Sequence, residues 1–204
     1  MQKGILEISM GVLTRPTSTI RSICQERPIG WAIVVYLVLN LVAALASIGL
    51  GDLGDLEFPE GGGLSPAFLA GISILLIIGF PIIGLLTLAV LTAIWHAVAS
   101  LLGGKGSYGG LFSGFAFANL PAIFVAPLAV IGLLPGIIGA LLFGLGSIGL
   151  GLWSLALSIV AVRENYAVST GRAILIYLLP TAILLVLLGL LVAVVALPIG
   201  SGLL

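Results

Sequence analysis

The stretch LSPAFLAGISILLIIGFPIIGLLTLAVLTAIWHAVASLL, residues 64–102, holds no Asp, Glu, Lys or Arg, and its reading decides the fold. As one straight helix it would reach about 58 Å, nearly twice the roughly 30 Å hydrocarbon core of a bilayer. Pro81 offers a resolution, because proline removes a helical hydrogen bond and bends or breaks the helix. Either residues 64–80 lie obliquely or along the interface and the rest crosses, or each half crosses separately. The first half is short for a crossing. The expectation is therefore one crossing over residues 80–102, preceded by a tilted helical lead-in.

The rest of the chain has the same character. Of its 204 residues, 61% are hydrophobic and only 7% are charged, where a soluble domain carries roughly 25% charged residues to face water. Its mean hydropathy is +1.38. The surface must face lipid, and helices cross lipid because they satisfy their own backbone groups. Further uncharged spans are read at residues 31–50, 111–131, 137–162 and 173–197, the third and fourth joined by a hairpin at Gly132-Leu133-Leu134-Pro135-Gly136. The fold class is thus an all-α membrane bundle of five transmembrane helices. Residues 1–30 hold two short amphipathic pieces separated by Pro16, which suit helices lying at the membrane surface.

With five crossings, Lys3, Arg15, Arg21, Arg27, Lys105, Arg163 and Arg172 share one side, and that is every basic residue of the chain. The opposite side receives the loop with Asp52, Asp55, Glu57 and Glu60. The positive-inside rule then places the N-terminus in the cytoplasm and the C-terminus outside, in the cell membrane for a prokaryotic chain. A sixth crossing within residues 64–102 would move Lys105, Arg163 and Arg172 outside, so the charge pattern argues against it.

Helices in lipid associate through small residues and interhelical hydrogen bonds. Rows at a spacing of four occur at Gly110, Gly114, Ala118, Ala122 and Ala126, at Gly132, Gly136, Ala140 and Gly144, and at Ala89, Ala93 and Ala97. They suggest close packing, within the chain or between copies of it.

Chemistry is sparse. No Asp, Glu, Lys or Arg lies inside a span, which removes the usual proton couplers and voltage sensors. His96 and Asn119 remain as polar intramembrane candidates; for His96 the plainer reading is a hydrogen bond to a neighbouring helix. One His and one Cys supply no metal cluster, and the acidic loop reads as solvated. Ser147 lacks a base within reach, so it is a packing residue rather than a nucleophile. Cys24 reads as a small apolar residue or a palmitoylation site. No catalytic residue, cofactor or metal is expected, and a net charge of zero excludes a strongly basic nucleic-acid binder.

Two motifs carry a family resemblance. Leu13-Thr14-Arg15-Pro16-Thr17-Ser18-Thr19-Ile20, followed by Arg27-Pro28, resembles the opening of the Yip family of Ypt/Rab-interacting membrane proteins. Gly103-Gly104-Lys105-Gly106-Ser107-Tyr108, then Leu111-Phe112 and Phe117-Ala118-Asn119-Leu120-Pro121, resembles its central motif. The resemblance spans essentially the whole chain and implies five crossings with a cytoplasmic N-terminus and a non-catalytic scaffolding role in membrane organisation or trafficking. Eukaryotic relatives bind Rab GTPases and one another. This sequence departs from them in lacking a long cytosolic N-terminal region and an Asp-Leu-Tyr-Gly-Pro-type motif, so Rab binding is not carried over and the chain looks prokaryotic and compact.

The expected partners are the bilayer, a second copy of the chain, and a cytosolic or membrane protein that meets Arg15, Arg21, Arg27 and Lys105. The alternative is a small transporter or channel-like subunit for an uncharged or lipidic substrate. A hydrated cavity reaching Asn119, Thr92 or His96 would favour the alternative; a dry, fully packed bundle would favour the scaffold.

Overall fold

The computed structural model describes residues 4–49 and 66–200. Lys3 and the expected acidic loop with Asp52, Asp55, Glu57 and Glu60 lie outside the described residues. Among those described, the chain forms α1 (Ile5–Thr14), α2 (Pro16–Glu26), α3 (Ile29–Gly49), α4 (Pro66–Leu101), α5 (Tyr108–Ala118), a 3-10 helix (Leu120–Phe124), α6 (Val125–Gly132), α7 (Ile137–Tyr166) and α8 (Thr170–Gly200). No strand occurs among them.

Two Arg-Pro pairs punctuate the N-terminal segment. Arg15 leaves the helical region because a residue before proline is pushed out of it, and Pro16 opens α2, where its missing N–H is no loss. Arg27 adopts φ 53° and ends α2 with its N–H on the Ile23 carbonyl. The resulting α1–α2 hairpin does not simply float on lipid. Ile8, Val12, Ile20, Ile23 and Cys24 are buried, and α2 packs against both α5 and α7. Leu6 and Met10 face outward at 79% and 62% exposure, so α1 offers one apolar side to the bundle and another to its surroundings.

Among the described residues, five stretches are long and apolar enough to cross a membrane: Ile29–Ala46, Ile74–Leu101, Tyr108–Gly132, Ile137–Tyr166 and Thr170–Leu190. Their ends alternate. A side chain at Gly109 would meet Ile29, one at Gly104 would meet Tyr166, and the Arg172 guanidinium donates to the Leu102 carbonyl. The start of α3, the end of α4, the start of α5, the end of α7 and the start of α8 therefore converge at one end of the bundle. Arg21, Arg27, Lys105, Arg163 and Arg172 gather there, and we call it the basic end.

Two expectations need correction. Of the bend or break expected at Pro81, the break does not occur: the lead-in and the crossing form one 36-residue helix, α4, whose apolar stretch begins at Ile74 rather than residue 80. A proline in a membrane helix forfeits one backbone bond, which its neighbours can tolerate. Here α3 packs beside it, with Asn40 closely against Gly84. The third crossing, expected as one helix, is instead three pieces. Asn119 caps α5, Pro121 sits in the 3-10 helix, and α6 resumes at Val125.

Candidate functional site

Helices α2, α5 and α7 join closely at the basic end. Gly110 and Gly114 of α5 lie where α2 and α7 press in. A Cβ at Gly110 would come within 2.5 Å of the Cys24 carbonyl, and one at Gly114 within 2.9 Å of the Ala161 Cβ and 3.1 Å of the Cys24 Sγ. Only glycine permits that approach. Ser107 caps α5 by accepting from the Gly110 N–H at 3.1 Å, and its carbonyl accepts from Asn165 Nδ2 at 3.0 Å. This fastens the α4–α5 turn to the end of α7.

Glu164 ties the N-terminal hairpin to the same place. Its carboxylate accepts from Arg21 Nε at 2.6 Å and from Arg163 Nε at 2.8 Å, while Arg163 also reaches the Thr17 hydroxyl at 3.3 Å. The Glu164 side chain is 7% exposed and that of Arg21 59%. One carboxylate thus bridges two guanidiniums at the rim of the bundle. Cys24 lies behind it, buried, with its Sγ 3.7 Å from the Ala161 carbonyl. Burial, with the Glu164 charge adding to it, pushes the Cys24 thiol up to about 12. Cys24 is therefore a packing residue in this structure, with no exposed sulfur for acylation.

The other candidates fall into two groups. Arg15, Arg27 and Lys105 are exposed, Arg27 and Lys105 at the basic end. Ala118 is buried with Gly110 and Gly114, but the row stops there, because Ala122 and Ala126 lie beyond the end of α5. The second row is not a packing seam within the chain. Gly132 faces Phe143, Gly136 has φ 76° with nothing near it, Ala140 is exposed, and a Cβ at Gly144 would meet open space. Gly136 serves the turn into α7 instead, where a left-handed residue is required. In α4, Ala93 and Ala97 also point outward.

His96 and Asn119 are not brought together. His96 Nδ1 shares a hydrogen bond with the Tyr166 hydroxyl at 2.6 Å, and its ring also meets Tyr108 edge-on. That is the interhelical bond expected of it. Asn119 donates to the Phe115 carbonyl at 2.8 Å and lines a cavity of about 190 Å³ between the crossing helices.

The cavity draws on five helices. Its polar lining is Tyr36 of α3, Thr87 of α4, Asn119 at the end of α5, Ser158 of α7 and Tyr177 of α8. Trp95 and Phe115 complete it with Leu88 and Leu91. Trp95 stacks on Tyr177 at 5.4 Å, meets Phe115 edge-on at 5.7 Å, and donates from Nε1 to the Tyr177 carbonyl at 2.9 Å. Close by in sequence, Thr92 Oγ1 and Ser113 Oγ are buried without a hydrogen-bond partner.

Sequence reasoning missed Glu164 as a bridge and missed Tyr36, Thr87, Ser158 and Tyr177 as one set. Their shared signal is polarity inside otherwise apolar spans. Tyr36 reads from sequence as a flanking aromatic only.

Residues 10–191 match the family described as the Yip1 domain. Comparison with curated proteins and with solved structures finds no match.

Proposed function

The chain belongs to the Yip1 domain family, and on that premise we propose that this multi-pass membrane bundle acts without catalysis, as a scaffold or adaptor in membrane organisation. The supporting observation is the docked α1–α2 hairpin. It is held by Glu164 and by the close approach of α2 to Gly110 and Gly114, and Arg15, Arg27 and Lys105 are left exposed. In this reading the basic end is cytoplasmic, since cationic loops are retained on that side. Each exposed cation contributes about 1 kcal/mol of attraction to an anionic leaflet or to an acidic partner. The chain also self-associates, but not through Gly110 and Gly114, which its own α2 and α7 already occupy.

The test is photo-crosslinking in native membranes from residues placed at Arg15, Arg27 and Lys105, read by mass spectrometry. The scaffold reading expects, from a crosslinker at any one of the three positions, a discrete protein adduct that disappears when the other two cations are reversed to Glu. Adducts to lipid alone would remove the adaptor role.

A second reading, a small transporter or channel-like subunit for an uncharged or lipidic substrate, is favoured by one observation, the polar cavity at Asn119. It expects protein-dependent flux across reconstituted vesicles that falls when Asn119 is replaced by Leu.

A further inference from the structure

We infer that the cavity among α3, α4, α5, α7 and α8 is a binding site for the uncharged, hydroxyl-bearing end of a membrane lipid, of the diacylglycerol class. The inference rests on neither scaffolding nor movement of a substrate, only on the cavity's position and lining.

Position comes first. Counted along their helices, Tyr36 and Tyr177 stand about 10 Å in from the basic end, Ser158 about 12 Å, Asn119 about 16 Å and Thr87 about 21 Å. The site therefore lies at the depth of lipid tails. Hydrocarbon offers no hydrogen bonds, so the spare capacity of these groups matters: Asn119 and Ser158 each spend a donor on a carbonyl of their own chain, to Phe115 and Ser154, and keep a side-chain oxygen that can still accept. Three hydroxyl types and an amide can both donate and accept, which matches an alcohol or ester carbonyl.

The lining then excludes a charged ligand. It contains no Asp, Glu, Lys, Arg or His, and an ion at this depth without a counter-charge is strongly disfavoured. A phosphate headgroup would find no cation to balance it. The aromatic wall of Trp95, Phe115 and Tyr177 instead suits an apolar glycerol backbone and the first methylenes of its chains. Its volume, about 190 Å³, suits a headgroup rather than a whole amphiphile. Access comes from the side. Thr87 lines the cavity and is exposed, and its neighbour Leu86 is 62% exposed on the outer face of α4. Acyl chains leave there, into the lipid that covers α4.

The test uses the full chain in phosphatidylcholine nanodiscs with a photoactivatable diacylglycerol. Adducts are expected near Leu88–Leu91 and Phe115–Asn119, reduced by unlabelled diacylglycerol and unaffected by further phosphatidylcholine. Asn119→Leu should lower specific labelling about tenfold, as loss of a hydrogen bond in a dry site does. Because Asn119 also caps α5, Ser158→Ala on the opposite wall provides a second variant, and reduced labelling is expected there as well. Adducts scattered over the outer faces of α4 and α8, without competition, would overturn the site. So would unchanged labelling in Ser158→Ala. Competed labelling without vesicle flux would leave the site standing and remove only the transport reading.

Discussion

The two halves of this bundle are built on different terms. At the basic end, side chains from α2, α4, α5, α7 and α8 meet, with glycine at the closest approach and a carboxylate between two arginines. In the other half, α4 exposes Ile74, Leu75, Ile78, Ile82 and Ile83, α7 exposes Ile137, Ile138 and Leu141, and α8 exposes Leu185 through Leu188. A soluble protein could not leave so much apolar surface uncovered. Lipid makes it harmless, because tails are as apolar as leucine and give no incentive to close the helices together. Specific packing and hydrogen bonds, rather than hydrophobicity, decide where this molecule is firm.

The contrast can be broken at Gly114. Gly114→Leu would drive a side chain into Ala161 and Cys24, and overpacking of this kind costs about 3 kcal/mol. Cys24 reports the outcome. The folded thiol ionises only near about 12, against roughly 8.5 for a free cysteine, so the stability linked to its neutral form is complete below pH 8 and declines as pH climbs between those values. Maleimide at pH 7.5 should leave the native chain unlabelled and label Gly114→Leu or the denatured chain. Rapid labelling of the native protein would mean that the hairpin is not docked.

A smaller effect is expected at Glu164. Glu164→Ala leaves Arg163 and Arg21 without their shared carboxylate, and with Arg21 largely exposed the loss is about 1–2 kcal/mol after screening. Protease cleavage between α1 and α3 in intact vesicles should accelerate, and unchanged cleavage would show that α2 docks through Gly110 and Gly114 alone. Thr92→Val works in the opposite direction. It replaces a buried, unpartnered hydroxyl by a methyl of the same shape and should raise stability by up to about 1 kcal/mol in a thermal-shift measurement. In the lipid-facing half, Leu185→Ala should change the same melting temperature least, by about 0.5 kcal/mol or less. A large loss there would show that α8 packs against something other than lipid.

The five crossings were legible because an uncharged apolar run of about 20 residues has the length and chemistry of a membrane span and of little else. The family resemblance was read from the segments around Pro16 and the Lys105 turn, and both lie within the matched residues 10–191. What escaped was local or long-range. The 3-10 segment at Pro121 looks from sequence like any proline that a membrane helix absorbs, as Pro81 does. The Arg21–Glu164 pair joins residues 143 apart, and nothing in either neighbourhood names the other. The glycine rows differ for a physical reason: Gly110 and Gly114 lie at a close helix approach, while the row from Gly132 does not form one seam within the chain. Spacing of four recurs by chance in a chain with 29 glycines, and Gly136 was placed by a turn's backbone angle, not by a neighbouring helix. The cavity escaped because its polar residues come singly from five separate helices.

The helices differ in length as well as in packing. α7 has 30 residues and would measure about 45 Å, and α4, with 36 described residues, would reach about 54 Å, where the hydrocarbon core is about 30 Å thick. Pinned together at one boundary, they cannot all match the same slab of hydrocarbon; the longer ones must lean, or the surrounding leaflets must stretch to meet them. Their tilt is thus a response to the bilayer that holds them, and a change in its thickness would be felt first in α4 and α7.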